Sequence, residues 1–116
     1  MTGGTEWLVD AFGCPRSKLR DPALLAELGA VLVRRLELNV IGAPLVHRFD
    51  GEGGVTALYL LSESHLAFHT YPESGLCTLN LYCCKPRTML DLEELFGRVL
   101  GAAEVRVNVV TRGARG

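Results

Sequence analysis

Apolar and polar residues alternate in several short stretches of the chain, and this period-two pattern predicts β-strands. The predicted strands cover residues 5–12, 55–61, 65–71 and 76–84, followed by a last strand in which Val105, Val107 and Val109 alternate. Residues 39–49 are also expected to be extended, but Gly42 and Pro44 interrupt them, which indicates a bulge or an edge position. Turns are predicted at residues 51–54 and 72–75.

Two other segments repeat their apolar residues every three or four positions, which is typical of helices packed on a core. The predicted helices cover residues 22 to about 36 and 89–100. Asp21 and Pro22 supply an N-cap and a first-turn proline for the first helix, and Thr88 with Asp91 is a capping pair for the second. The order β-α-β-β-β-β-α-β predicts an α+β fold: one α/β sandwich domain, with a mainly antiparallel sheet and two helices packed on one face.

Composition restricts the class of protein further. The 116 residues are 48% hydrophobic and 22% charged, which suits one globular domain over residues 1–116. The net charge of -1 provides no attraction for nucleic acid or an anionic membrane, so neither partner is expected. The chain has no basic start followed by an apolar run and no apolar stretch of spanning length, so a cytoplasmic location is expected. The four cysteines form no C-x-x-C unit and are expected to be reduced thiols.

The reactive side chains are concentrated in residues 62–73. This segment holds a hydroxyl nucleophile, two histidines and two carboxylates: Ser64, His65, His69, Glu63 and Glu73. Cys84 follows fifteen residues beyond His69. Serine, histidine and cysteine within about twenty residues indicate self-processing chemistry more than an ordinary structural segment.

Strand parity assigns these residues to two faces, because successive side chains of a strand point to opposite sides of the sheet. If strands 65–71 and 76–84 pair as a hairpin, one face is apolar and lies under the helices: Leu66, Phe68, Cys77, Leu79, Leu81 and Cys83. The opposite face then carries the polar and reactive residues: His65, His69, Tyr71, Asn80, Tyr82 and Cys84. Of the two adjacent thiols, Cys83 is therefore expected in the core and Cys84 is expected to be functional.

Structural roles and a metal site are the alternatives to catalysis. A histidine or cysteine taken singly is more often a structural side chain than a catalyst. His65 and His69 could also be two metal ligands completed by a cysteine. A four-ligand shell would need a further histidine or a C-x-x-C unit nearby, so no metal is predicted.

Taken together, these motifs resemble those of one known family. They are Phe12-Gly13-Cys14, His47-Arg48-Phe49, Ser62-Glu63-Ser64-His65-Leu66, His69-Thr70-Tyr71-Pro72-Glu73, Cys84, and Arg106-Val107 followed by Arg112-Gly113. In order and spacing they resemble the prokaryotic S-adenosylmethionine decarboxylase proenzymes, which make their own pyruvoyl cofactor. The resemblance spans nearly the whole chain, and the spacing of Ser64, His69 and Cys84 is that of the family.

The resemblance implies self-cleavage between Glu63 and Ser64. Residues 1–63 would become the β chain and residues 64–116 the α chain, which begins with a pyruvoyl group made from Ser64. His69 matches the family's processing base and Cys84 its proton donor. The pyruvoyl group would form a Schiff base with the substrate and act as an electron sink, so no external cofactor is expected.

The resemblance also implies a substrate and a partner. S-adenosylmethionine would be decarboxylated to the aminopropyl donor for spermidine synthesis, with Phe49 stacking on the adenine and Glu73 binding the ribose. Tyr71 completes the binding residues, at a position where tryptophan is usual. The family's assembly implies a homodimer of αβ units.

Several departures from the family pattern motivate a second substrate class. Tyr71 stands where the family usually has tryptophan, Asn80 where aspartate is common, Lys85 where glycine is usual and Trp7 where histidine is usual. The alternative is therefore a pyruvoyl-dependent arginine or ornithine decarboxylase. A non-catalytic paralogue is a further alternative, against which the intact Ser64, His69 and Cys84 argue.

Overall fold

A computed structural model describes residues 3–115, and its strands form one six-stranded sheet. The strands are β1 (Gly4–Phe12), β2 (Leu45–Arg48), β3 (Val55–Leu61), β4 (Ser64–Tyr71), β5 (Leu76–Cys83) and β6 (Glu104–Arg112). The helices are α1 (Arg16–Leu19), α2 (Pro22–Arg35) and α3 (Leu92–Leu100), and a 3-10 turn, Pro72–Ser74, joins β4 to β5. The strand order is β2-β3-β4-β5-β1-β6, and every neighbouring pair is antiparallel. This confirms the predicted fold class.

The hydrophobic core lies between the helices and one face of the sheet. The alternation along β4 and β5 buries the residues that parity assigned to this face: Leu66, Phe68, Cys77, Leu79, Leu81 and Cys83. The helices contribute buried side chains from α2 and α3: Leu25, Leu28, Leu32, Leu95, Phe96 and Leu100. Burying one leucine or phenylalanine fully is worth about 1.5–3 kcal/mol, so this interdigitated set fixes which face of each strand points inward.

The beginning of α2 follows the predicted chemistry. The Asp21 side chain accepts a hydrogen bond from the Ala23 N–H at 3.0 Å, and Pro22 occupies the first turn. Gly29 lies in the middle of this helix, where glycine normally costs about 1 kcal/mol relative to alanine. A Cβ there would lie 1.9 Å from the Tyr59 hydroxyl oxygen, so any larger residue would force the buried Tyr59 ring to move.

Three details differ from the sequence-based expectation. Helix α3 begins at Leu92, not at residue 89, because the N-cap is Asp91, whose side chain accepts from the Glu94 N–H at 3.1 Å. Helix α1 was not predicted, since a single turn is too short to show helical periodicity. Of residues 39–49, only β2 is a strand, and Val40 forms an isolated bridge to Leu61.

Among the residues that the structure describes, no helix covers the other face of the sheet, here called the open face. Strand β2 is exposed throughout and lies at one edge, as the interruptions at Gly42 and Pro44 predicted, and β6 forms the other edge. Five exposed aliphatic residues lie on the open face: Leu8, Leu45, Leu58, Leu60 and Val110. Within residues 3–115, no helix has the length and apolarity needed to cross a membrane.

Candidate active site

The hairpin turn between β3 and β4 contains the predicted cleavage bond. Ser62 and Glu63 form this two-residue turn, and Leu61 pairs with Ser64 across it. Ser64 has a φ of 147°, a backbone conformation that residues with a side chain rarely adopt and that costs of order 1–3 kcal/mol. Its hydroxyl lies 3.4 Å from Nδ1 of His65. The predicted nucleophile is therefore held in a strained backbone at the exposed end of a hairpin.

Glu63 is fixed through both its carbonyl and its side chain. Its carbonyl oxygen accepts a hydrogen bond from the Cys84 backbone N–H at 3.1 Å. Its carboxylate pairs with Lys85 and with Arg87, each at 3.5 Å. Hydrogen bonding by Ser62, and then the charges of Lys85 and Arg87, lower the pKa of the Glu63 carboxyl. The carbonyl that Ser64 would attack is thus already polarised by a backbone donor.

The two adjacent thiols differ in burial, and β5 ends at the first of them. Cys83 is 2% exposed and belongs to the core, and burial raises the pKa of its thiol. Cys84 is half-buried at the end of β5, beside the Glu63 carbonyl. It lines a cavity of about 470 Å³ whose wall also includes Gly4, Arg112 and Arg115. Cys84 is therefore the thiol that a small molecule bound in this cavity could reach.

A series of hydrogen bonds connects Ser64 to the β6 edge. His65 Nε2 lies 2.8 Å from Oδ1 of Asn80, and the Asn80 amide N–H donates to Glu6. Arg112 donates to the other Glu6 oxygen at 2.7 Å. The hydrogen bonds from Asn80 and then from Arg112 lower the pKa of the Glu6 carboxyl. The open face near Ser64 is therefore polar and tightly connected.

A second group of candidate residues lies at the opposite end of the open face. The Thr56 hydroxyl is hydrogen-bonded to Nδ1 of His69 at 2.9 Å, since these two residues are partners in the β3–β4 register. The rings of His47 and Phe49 meet edge to face, with their centroids 4.6 Å apart. A cavity of about 400 Å³ is lined by His47, Phe49 and Thr56 among others. Tyr71 is exposed at the end of β4 nearest this group.

The structure separates the two groups within one chain. It brings Glu63, Ser64 and Cys84 together, but His69 lies five residues along the same strand from Ser64. At about 3.3 Å per residue this is roughly 17 Å, whereas a catalytic base must approach to about 3 Å. Glu73, in the exposed 3-10 turn after β4, is also at the His69 end. The role of His69 toward Ser64 therefore stays a prediction, and the distance within a single chain does not satisfy it.

The structure shows where three residues that depart from the family pattern lie. Trp7 is 4% exposed and faces the helices, so it belongs to the core. Lys85 pairs with Glu63 beside the predicted cleavage bond, and Asn80 connects His65 to Glu6. Sequence reasoning assigned no role to Thr56, although its position follows from the hairpin register once β3 and β4 are paired. In residues 3–115, no cluster of three or more histidine, cysteine, aspartate or glutamate side chains is arranged to hold a metal ion.

Known proteins resemble this chain in both sequence and structure. The family model for S-adenosylmethionine decarboxylase matches residues 5–113. The S-adenosylmethionine decarboxylase proenzyme of Prochlorococcus marinus (strain MIT 9313) is 34% identical over 100 residues, covering 85% of this chain and 78% of that protein. The proenzyme of the same name from Pyrobaculum neutrophilum is 37% identical over 79 residues, covering 66% of this chain and 61% of that protein. The crystal structure of the adenosylmethionine decarboxylase from Aquifex aeolicus VF5 has a TM-score of 0.78 and 26% identity, covering 99% of this chain and 94% of that one.

The fold and the strained backbone at Ser64 define a class of small α/β sandwich proteins. In this class, the candidate self-cleavage site lies in a hairpin turn at one end of the sheet. The matches are to enzymes of one kind, proenzymes that are decarboxylases by name. The chain belongs to the S-adenosylmethionine decarboxylase family. This confirms the family predicted from the sequence. The matches support S-adenosylmethionine decarboxylase over the arginine or ornithine alternative.

Proposed function

We propose that this chain is a self-processing decarboxylase that cleaves itself between Glu63 and Ser64 and then decarboxylates S-adenosylmethionine to the aminopropyl donor for spermidine synthesis. One observation carries the proposal. The strained Ser64 follows a carbonyl that the Cys84 backbone N–H already polarises, in a chain that belongs to the decarboxylase family. Residues 1–63 would form the β chain and residues 64–116 the α chain.

The first step needs only groups at the hairpin turn. The Ser64 hydroxyl oxygen attacks the Glu63 carbonyl carbon through a five-membered ring, and the carbonyl oxygen becomes negatively charged. The Cys84 N–H, at 3.1 Å, stabilises that oxygen as the charge develops. Breaking the C–N bond then leaves an ester between Glu63 and the Ser64 side chain and frees the Ser64 amine. The strain at a φ of 147° favours this step, because it is released with the peptide bond.

The second step needs a base at the Ser64 α-carbon. Removing the α-proton expels the Glu63 carboxylate from the ester and leaves a dehydroalanine. Its enamine tautomerises to an imine, and water releases ammonia to give the pyruvoyl group. The resemblance assigns this base to His69, and the Thr56 hydroxyl at 2.9 Å supports its ring in one orientation. Within one chain His69 is too far from Ser64.

A homodimer would bring a His69 side chain close to Ser64 from the second chain. The open face exposes Leu8, Leu45, Leu58 and Leu60, and one sheet covered by helices on a single side needs a partner for its other side. A two-fold axis through paired open faces puts the His69 end of one protomer over the Ser64 end of the other. His69 of the partner subunit would then serve Ser64. Phe49, Tyr71 and Glu73 would reach the same site from the partner, since they lie at the His69 end.

Cys84 suits the decarboxylation step. Once formed, the pyruvoyl group would supply an electron sink for the charge left by departing carbon dioxide. Cys84 donates its backbone N–H to the residue before Ser64 and lines the cavity of about 470 Å³, so its thiol is the candidate to deliver a proton to the substrate α-carbon. Phe49 provides an aromatic face for the adenine, and Glu73 a carboxylate that accepts from the ribose hydroxyls. These binding roles, a cytoplasmic location and the absence of a nucleic-acid partner stay predictions.

Release of labelled carbon dioxide tests the substrate. Purified protein is incubated separately with S-adenosylmethionine, arginine and ornithine, each carrying its label in the carboxyl group and each at the same concentration. We expect release from S-adenosylmethionine alone, and no release from the Ser64→Ala variant. Release from arginine or ornithine without release from S-adenosylmethionine would replace the proposed substrate.

A further inference from the structure

His65 contacts the reacting hydroxyl, yet the proposed function gives it no task. It lies on the open face directly after Ser64, and its Nδ1 is 3.4 Å from the Ser64 hydroxyl oxygen. Its other ring nitrogen is bonded to Asn80, which is bonded to Glu6, which is bonded to Arg112. The series runs from β4 through β5 and β1 to β6. Side chains from four strands therefore fix the orientation of the His65 ring.

The series also determines which nitrogen of His65 carries the proton. The Glu6 carboxylate is ionised and can only accept, so the Asn80 amide must turn its NH₂ toward Glu6. Its oxygen then faces His65 at 2.8 Å, and an amide oxygen can only accept. Nε2 of His65 is therefore the donor, and a neutral imidazole with its proton on Nε2 presents Nδ1 to Ser64 as an acceptor.

We propose that His65 is the base that accepts the Ser64 hydroxyl proton during the attack on the Glu63 carbonyl. This inference rests on the proposed function and adds a second histidine to it. As the Ser64 oxygen bonds to the Glu63 carbon, its proton moves to Nδ1 of His65. When the C–N bond breaks, the same proton passes from Nδ1 to the departing Ser64 nitrogen, so the ring ends the step unchanged. His65 is catalytic because it touches the reacting atom, while Asn80 and Glu6 are positioning residues.

The two histidines then act on different atoms. His65 serves the hydroxyl in the shift from amide to ester, and His69 serves the α-proton in the elimination that follows. At the far end of the series, Arg112 pairs with the Glu6 carboxylate and compensates its charge. A solely structural role for His65 would require the bond to Asn80 but not a free nitrogen directed at Ser64.

Ester formation can be measured apart from elimination. Hydroxylamine cuts esters under conditions that leave peptide bonds intact, so it traps the ester in a His69→Ala background where elimination is blocked. In that background we expect His65→Gln to slow hydroxylamine cleavage at residue 63 by about 10²-fold or more. Added imidazole should restore part of the rate. Asn80→Leu should cause a smaller slowing. Arg106→Gln, which breaks a surface pair with Glu104 on β6, is the control and should have no effect.

A second readout does not depend on cleavage. Nitrogen-15 NMR of the Ser64→Ala chain should find His65 protonated at Nε2, and Asn80→Leu should shift it toward the other tautomer. Protonation at Nδ1 would overturn the inference whatever the cleavage rates are. His65→Gln chains that form the ester as fast as the His69→Ala parent would overturn it while the proposed function stands. A parent that never forms the ester, with a wild-type chain that stays intact, would overturn both.

Discussion

Two variants that are inactive alone are expected to restore self-cleavage to each other. Ser64→Ala removes the nucleophile, and His69→Ala removes the proposed base. In a two-fold dimer, the His69→Ala chain keeps its own Ser64 and receives His69 of the partner subunit when that partner is Ser64→Ala. Each mixed dimer then contains one complete site.

The structure sets the size of the effect. Because Ser64 and His69 of one chain lie roughly 17 Å apart along β4, a single chain cannot complete its own site, and restoration depends wholly on mixed dimers. Equal amounts of the two chains, assorting at random, give mixed dimers for about half of all dimers. About half of the His69→Ala chains should therefore be cleaved, and none of the Ser64→Ala chains.

Co-expression with two different tags, followed by a denaturing gel, measures this fraction. The matched control pairs His69→Ala with a Ser64→Ala/His69→Ala double variant, which assembles in the same way but supplies no base. The control should stay uncleaved. The proposal that two chains share one site is wrong if doubly tagged dimers remain intact in the test pair. It is also wrong if His69→Ala chains cleave on their own.

Three further predictions concern catalysis and stability. Cys84→Ala should self-cleave but lose normal turnover, while Cys83→Ala should keep turnover and lose about 1 kcal/mol of unfolding free energy, as chemical denaturation would show. Equal catalytic loss in both at unchanged stability would contradict the face assignment. Glu73→Gln should lower kcat/KM for S-adenosylmethionine by about tenfold or more, and an unchanged value would remove Glu73 from the ribose site. The Glu6 pKa is depressed below its ordinary 4.5 by its bonds to Asn80 and Arg112. The stabilisation of the folded state by these bonds is therefore present above pH 4.5 and is lost as the pH falls through the folded-state pKa. The stability difference between wild type and Glu6→Gln should therefore shrink in denaturation curves below pH 4.5, and a constant difference would contradict the paired state.

Local sequence chemistry predicts most of the fold because the decisive signals are short-range. Parity predicts that Cys83 is buried, and the alternation of burial along β5, which ends at this residue, agrees with it. The predicted start of α3 was wrong because Thr88 and Asp91 are both good N-caps, and only the packed structure selects Asp91. Helix α1 carries too few residues for any periodicity.

The arrangement of the site depends on contacts that sequence alone does not reveal. The Thr56–His69 bond requires the β3–β4 register, and the connection from His65 to Arg112 requires four strands in their spatial order. Ser64, with its positive φ, directly follows Glu63, whose carbonyl is bonded to the Cys84 N–H across the sheet. Each depends on residues distant in sequence.

Mass spectrometry of the purified chain under denaturing conditions tests the central claim most directly. Cleavage between Glu63 and Ser64 should yield fragments 1–63 and 64–116, with the second fragment blocked to N-terminal sequencing because it begins with a ketoacyl group. Ser64→Ala should remain one chain. A wild-type chain that stays intact after long incubation, or one cut at a different bond, would contradict the account.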